Sequence, residues 1–132
     1  MRVFVDTSAL YAALVRTDSA HEPARTKLAD LCVDTSVTLA TTSFVVLETF
    51  SLLQARFGAE AALRFDREFC PHLEVAFVDR ELYQRGVRRV ALRRSRKVSL
   101  VDCTSFVFME EQGIEAALAL DKHFEQEGFR LV

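Results

Sequence analysis

The chain has 132 residues, half of them hydrophobic and 27% charged, with a formal net charge of −2. That length suits one domain with its own core, since single domains most often run to roughly 100–150 residues. Four glycines and two prolines exclude a collagenous or Pro/Gly-rich disordered chain. The longest charge-free stretch, Thr35–Leu47, is too short and too polar to cross a membrane, which takes ~20 mostly apolar residues.

In chain order, Val3-Phe4-Val5 is a β-branched and aromatic run that predicts a strand ending at Asp6. From Thr7, apolar residues at 9, 10, 13 and 14 predict a helix. A second helix is predicted from Ser19, with Glu22 as capping-box partner, Pro23 in its first turn, and Ala24, Leu28 and Leu31 or Cys32 facing inward. Thr38–Thr41 reads as a strand, Ser43 opens an apolar helix stopped by Gly58, and Ala59–Phe69 is a helix closed by Pro71. Leu73–Val78 is the next strand. Asp79 caps a helix running to about Arg94, with Tyr83, Val87, Val90 and Ala91 as its inward stripe. A helix over Leu100–Gln112 ends at Gly113. Then come a buried strand, Ala116–Leu120, a short helix, Asp121–Gln126, and a last strand, Phe129–Val132.

Strands alternate with helices and no hairpin turn joins neighbouring strands, which is the pattern of a single α/β domain over residues 1–132 with a mainly parallel sheet. The N-terminus reaches a carboxylate at position 6, too soon for a secretory apolar region, so a cytoplasmic location is expected. Cys32, Cys70 and Cys103 are widely spaced and form no CxxC pair. Reduced and mostly buried thiols are expected of them. Most of the eleven phenylalanines, among them Phe4, Phe44, Phe50, Phe106, Phe108 and Phe124, are assigned to a dry core.

The small net charge conceals a division. Residues 80–97 sum to +7 and the rest of the chain to −9. Arg85, Arg89, Arg93, Arg94, Arg96 and Lys97 in that segment are candidates to follow a nucleic-acid backbone, where each phosphate contact adds salt-dependent affinity.

Four acids stand out. In open parallel sheets the ligand crevice lies outside the carboxyl ends of the strands. Asp6 and Asp121 sit at two such ends, and Asp102 lies in the first turn of the helix after the basic segment. Glu48 lies mid-helix among Phe44, Val45 and Leu52, with no Lys or Arg at i±3 or i±4 to pair with it, so burying it would cost several kcal/mol. Asp6 and Asp121 each also suit a helix N-cap, and Asp102 completes a Ser99-x-x-Asp102 capping box. Taken together, carboxylates at one rim repel each other unless a cation offsets them. With no His or Cys beside them they select a hard ion, Mg²⁺ or Mn²⁺. An ion so held suits phosphodiester hydrolysis. On that reading His123 is left with, at most, a phosphate contact.

VDTSAL at Asp6, TTSFVVLET around Glu48, SLVDCTSF around Asp102 and ALALDKHFEQEGF around Asp121 resemble, in order and spacing, the PIN-domain ribonucleases. The likeness is closer still to the VapC-type toxins of toxin–antitoxin pairs. It implies a three-layer α/β/α sandwich and an acidic quartet of Asp6, Glu48, Asp102 and Asp121 holding Mg²⁺ or Mn²⁺. Thr7 or Ser8 would be the auxiliary hydroxyl beside the first Asp. The family's activity is cleavage of single-stranded RNA, its members are often dimeric, and a small VapB-like antitoxin is the implied partner. Many relatives carry Thr two residues before the last Asp, where this chain has Ala119. A solitary PIN nuclease without an antitoxin, or a non-catalytic PIN-like binding module, would share these residues. A phosphoacceptor domain would pair acids after the first strand, and an aspartyl-phosphate phosphatase would need an Asp where Ser8 stands.

Overall fold

The computed structural model describes residues 1–132 throughout. Five strands form one sheet: β1 (Arg2–Val5), β2 (Thr38–Thr42), β3 (Glu74–Ala76), β4 (Ala116–Leu118) and β5 (Arg130–Leu131). Seven helices connect them: α1 (Thr7–Leu14), α2 (His21–Val33), α3 (Ser43–Phe57), α4 (Ala59–Arg64), α5 (Arg80–Arg93), α6 (Leu100–Gln112) and α7 (His123–Gln126). The strand order is β3-β2-β1-β4-β5 and every pairing is parallel. This is the parallel α/β architecture expected from the alternation. No helix is long and apolar enough to cross a membrane.

The central strand shows why the sheet needs cover on both faces. Val3, Phe4 and Val5 are each fully buried although successive side chains point to opposite sides. Val3 pairs with Leu39 on one side and Ala116 on the other. Phe4 packs against Phe108 of α6 and Phe124 of α7, ring centroids 6.1 and 5.8 Å away, and Phe106 meets Phe124 edge-on at 5.0 Å. Burying these rings contributes roughly 1.5–3 kcal/mol each. Phe4, Phe106, Phe108 and Phe124 are thus core, whereas Phe44 and Phe50 are only half-buried.

Several local expectations are corrected. The first two strands each extend one residue beyond their expected runs, whereas β3, β4 and β5 are shorter than the expected Leu73–Val78, Ala116–Leu120 and Phe129–Val132. The capping box proposed for Ser19 and Glu22 is not made. Asp18 instead accepts the N–H of Ala20 at 2.8 Å, and α2 starts at His21 with no side-chain cap. Leu31 turns partly inward while Cys32 is exposed, and of the three free thiols only Cys103 is buried. The segment after α4 widens into a π turn over Phe65–Phe69 and closes with a 3₁₀ turn, Cys70–His72. Pro71 there lacks the N–H that an α-helix would use.

The largest correction concerns α5. Tyr83, Val87 and Ala91 are exposed, and the buried line is Leu82 and Gly86. The reason is a close helix crossing. A Cβ placed on Gly86 would lie 2.3 Å from Thr104 Oγ1 and 3.3 Å from Thr104 Cα, so α5 and α6 approach where a side chain is missing. A hydrophobic count cannot register a glycine, and so it selects the neighbouring row. We expect Gly86→Ala to destabilise the fold by about 1–3 kcal/mol through overpacking. Thr104→Ala in the same chain should recover part of the deficit, as read by urea denaturation of both variants.

Candidate metal centre

Moving outward from β1, the chain proceeds to β2 and β3 on one side and to β4 and β5 on the other. The order therefore reverses between β1 and β4, and the crevice outside their carboxyl ends is where such sheets place ligands. Asp6 follows β1 and Asp121 lies three residues beyond β4. The Asp6 backbone N–H donates to Leu118 O at 3.0 Å, so the first acid is fastened directly to the end of β4.

Asp6 is also the N-cap of α1. Its Oδ2 accepts from Ser8 N at 3.1 Å and from Ser8 Oγ at 2.7 Å. The same Ser8 hydroxyl accepts from Leu120 N at 3.0 Å, binding the loop that carries Asp121 to the Asp6 carboxylate. Asp6 is 3% exposed, and its second oxygen, Oδ1, is buried with no hydrogen-bond partner. Burial pushes its pKa up to about 7, and the charges of Asp102 and Asp121 push the same way against the two Ser8 hydrogen bonds.

Asp102 stands at the third position of α6 in a complete capping box. It accepts from Ser99 N at 3.1 Å while Ser99 Oγ accepts from Asp102 N at the same distance. Burial raises its pKa, helped by Asp121 and opposed by Ser99 and His123. Asp121 Oδ1 accepts from His123 N at 3.0 Å. That turn swings the imidazole over the acids, with Nδ1 3.5 Å from Asp102 Oδ2 and 3.6 Å from Asp121 Oδ1. One ligand atom each from Asp102, Asp121 and His123 lies within 4.8 Å of the others.

Thus Asp102, Asp121 and His123 form the close group, and Asp6 stands near enough for the charges of both aspartates to act on its carboxyl. The expectation that no histidine stands beside the acids is overturned. Its signal was legible as Asp-x-His at a strand end, where an Asp that accepts the N–H two residues on carries the second side chain back toward itself. Glu48 is half-buried on α3 and makes no hydrogen bond or ion pair. Of its same-face neighbours, Val45 is buried, Phe44 and Leu52 are half-buried, and Ser51 is exposed. Of the two hydroxyl candidates, Ser8 holds the Asp6 carboxylate. Thr7 donates to Val45 O at 3.4 Å and accepts from Thr49 Oγ1 at 3.3 Å, which fastens α1 to α3.

The basic segment is less free than its charge implied. Arg85 pairs with Glu111 at 2.5 Å, and Arg89 with Glu110 at 2.5 Å and Glu127 at 3.3 Å. Arg93 pairs with the same Glu127, whose side chain is only 8% exposed. Arg94, Arg96 and Lys97, in the turn that leads to Asp102, are exposed and make no ion pair. A groove of ≈590 Å³ between α1, α3 and α4 is lined by Leu14, Leu53, Phe57 and Phe65 among others and contains none of the four acids.

The donor set fits a divalent cation. A buried carboxylate oxygen without a partner, facing a field of further carboxylates, costs several kcal/mol unless positive charge is supplied. Sheet order and acidic crevice define an α/β protein whose topological switch point carries a cluster of acids and a histidine that could hold a cation. Residues 3–129 match the PIN domain model. The 23S rRNA-specific endonuclease VapC20 of Mycobacterium tuberculosis is 32% identical over 133 residues, covering 96% of this chain and 95% of the relative. The crystal structure of that protein, described as a Sarcin-Ricin loop cleaving toxin, superposes with a TM-score of 0.85 at 30% identity, over 96% of this chain and 95% of the other. VapBC2 from Rickettsia felis, bound to a promoter DNA fragment, shares the fold at a TM-score of 0.72 and 13% identity, covering 100% and 98% of the two chains. DNA-bound VapBC from Salmonella typhimurium does so at 0.72 and 16%, covering 100% and 97%. The chain belongs to the PIN-domain family.

The raised pKa of Asp6 makes stability depend on pH in the metal-free protein. The folded form holds the Asp6 proton up to about pH 7, whereas the unfolded chain releases it near the ordinary aspartate value of 3.8. The contribution is therefore present at pH 4 and is lost as the pH rises through 7, on the order of a few kcal/mol in all. Asp6→Asn in EDTA should match the wild type near pH 4 and exceed its melting temperature at pH 8.

Proposed function

We propose that the protein is an endoribonuclease toxin of a VapBC-type pair. In this reading it hydrolyses single-stranded RNA with Mg²⁺ or Mn²⁺ held by Asp6, Asp102 and Asp121, with Glu48 completing the set. The observation that carries the proposal is that Asp6 Oδ1 lies buried and unpartnered while the charges of Asp102 and Asp121 act on the same carboxyl. The whole-length similarity to VapC20 supports the choice of RNA, and the Sarcin-Ricin loop that this relative cleaves is the first substrate to test.

Each protein group has a derivable task. Ser8 locks one oxygen of Asp6, so that the other remains directed to a cation. Ser99 holds Asp102 in one rotamer at the start of α6, and the Asp121 turn is held by the N–H of His123. Such pre-set carboxylates spare the reorganisation that a flexible site would undergo during reaction. Bound there, a divalent ion would supply Lewis-acid chemistry and would offset charge developing on the phosphate. Arg94, Arg96 and Lys97 would hold the RNA backbone next to Asp102. Arg85, Arg89 and Arg93 serve first as struts between α5, α6 and the end of α7, because their carboxylate partners already occupy them.

The partner in this reading is a small VapB-like antitoxin, the protomer pairs as a homodimer, and the pair works in the cytoplasm. The solved VapBC complexes share this chain's fold, which supports the choice of partner. Co-expression with the product of a neighbouring short reading frame, followed by mass measurement in solution, tests the complex and the dimer together.

Asp6→Asn and Asp102→Asn should abolish cleavage of a Sarcin-Ricin loop RNA while remaining folded. Millimolar Mg²⁺ or Mn²⁺ should raise the melting temperature of the wild type but not of Asp6→Asn. Full cleavage by Asp6→Asn would reject the assignment. Replacing Arg94, Arg96 and Lys97 by Ala should reduce the slope of log K against log salt by about 0.7 for each phosphate that these side chains neutralise. Arg93→Ala should instead lower thermal stability, because it strips one of two partners from a carboxylate that is nearly buried.

A further inference from the structure

The nitrogen of His123 faces the acids with nothing to bind. Nδ1 is buried and has no hydrogen-bond partner. It lies 3.5 Å from Asp102 Oδ2 and 3.6 Å from Asp121 Oδ1, both longer than the roughly 2.7–3.2 Å of an N–H···O bond. An imidazolium serving only as counter-ion would close one of those gaps. Donor atoms around one cation, with bonds of about 2.0–2.2 Å, stand about 3.0–3.5 Å from their neighbours. The two nitrogen–oxygen spacings are close to an edge of such a coordination shell, and all three donors lie within 4.8 Å of one another.

The imidazole is held there by more than the acids. The backbone N–H of His123 is bound to Asp121 Oδ1, and the next residue, Phe124, is fully buried between Phe4 and Phe106. Independently, Asp6 is 3% exposed with a free Oδ1, and the charges of Asp102 and Asp121 both act on it. A second unpartnered polar atom thus lies within the electrostatic reach of the two aspartates of the cluster.

We propose that His123 Nδ1 is a direct ligand of the cation held by Asp102 and Asp121, and that this nitrogen makes the centre prefer Mn²⁺ to Mg²⁺. The proposal rests on the metal reading above and deepens it. Mg²⁺ favours a shell of oxygen donors and gives up water reluctantly, whereas an imidazole suits the later divalent ions. One nitrogen among carboxylates therefore shifts selectivity without altering the charge of the site.

The test uses the full chain with metal alone, without RNA. Pulsed electron paramagnetic resonance of bound Mn²⁺ should show ¹⁴N modulation from a coordinated imidazole in the wild type. His123→Gln, which keeps an oxygen donor, should bind Mn²⁺ without that modulation. By calorimetry the preference of the wild type for Mn²⁺ over Mg²⁺ should fall by about tenfold in His123→Gln. Mn²⁺ bound to the wild type without ¹⁴N modulation would overturn the histidine ligand and leave the carboxylate site standing. No binding of either ion, by heat or by melting temperature, would overturn both readings. The wild-type spectrum decides even if the variant fails to fold.

Discussion

A carboxylate with only 3% of its residue in solvent sets the terms for the rest of this molecule. Asp6 could not occupy the end of the central strand unless its charge were answered by something nearby. Half of the answer is local: α1 begins at once, and Ser8 turns two donors onto one oxygen. The other half is left open, because Oδ1 meets no donor and two more aspartates stand close enough to raise its pKa. Sheet order, the Ser8–Leu120 tie and the α6 capping box all converge on that one unsettled group. A fold built only for stability would have placed an asparagine or a serine there.

The second organising feature is how the positive charge is distributed. A segment of +7 reads in the sequence as a surface for anions. In three dimensions much of it is internal carpentry. Glu110, Glu111 and Glu127 take up Arg85, Arg89 and Arg93, so α5 is riveted to α6 and to the chain just after α7. Of the cations left over, Arg80 and Arg88 lie on α5, and Arg94, Arg96 and Lys97 are gathered in the turn between α5 and α6, beside the helix that carries Asp102. The polarity seen along the chain survives in a narrower form, at the place where a phosphate chain would approach the acids.

Much of this is legible in the residues alone, for physical reasons that can be named. Helix ends with strong chemistry read to the residue: Gly58 and Gly113 stop α3 and α6, and Asp79 caps α5. Three of the four acids fall together because strand ends and helix first turns have fixed places in a parallel sheet. Apolar patterning fails at α5, where the packed row contains a glycine and the exposed row contains Tyr83 and Val87. His123 is undervalued because residue type alone cannot reveal an imidazole drawn inward by a two-residue turn.

The outer strands carry a consequence of a different kind. β3 has three residues and β5 only two, so the sheet ends on both sides after a few pairings. An incoming chain that sought to lengthen the sheet would find too few open N–H and C=O groups to register against. Self-templated stacking, the usual hazard of an exposed parallel edge, is thereby blunted. Whatever docks on this protein has to grip helix faces and loops, and its recognition will be written in side chains rather than in backbone.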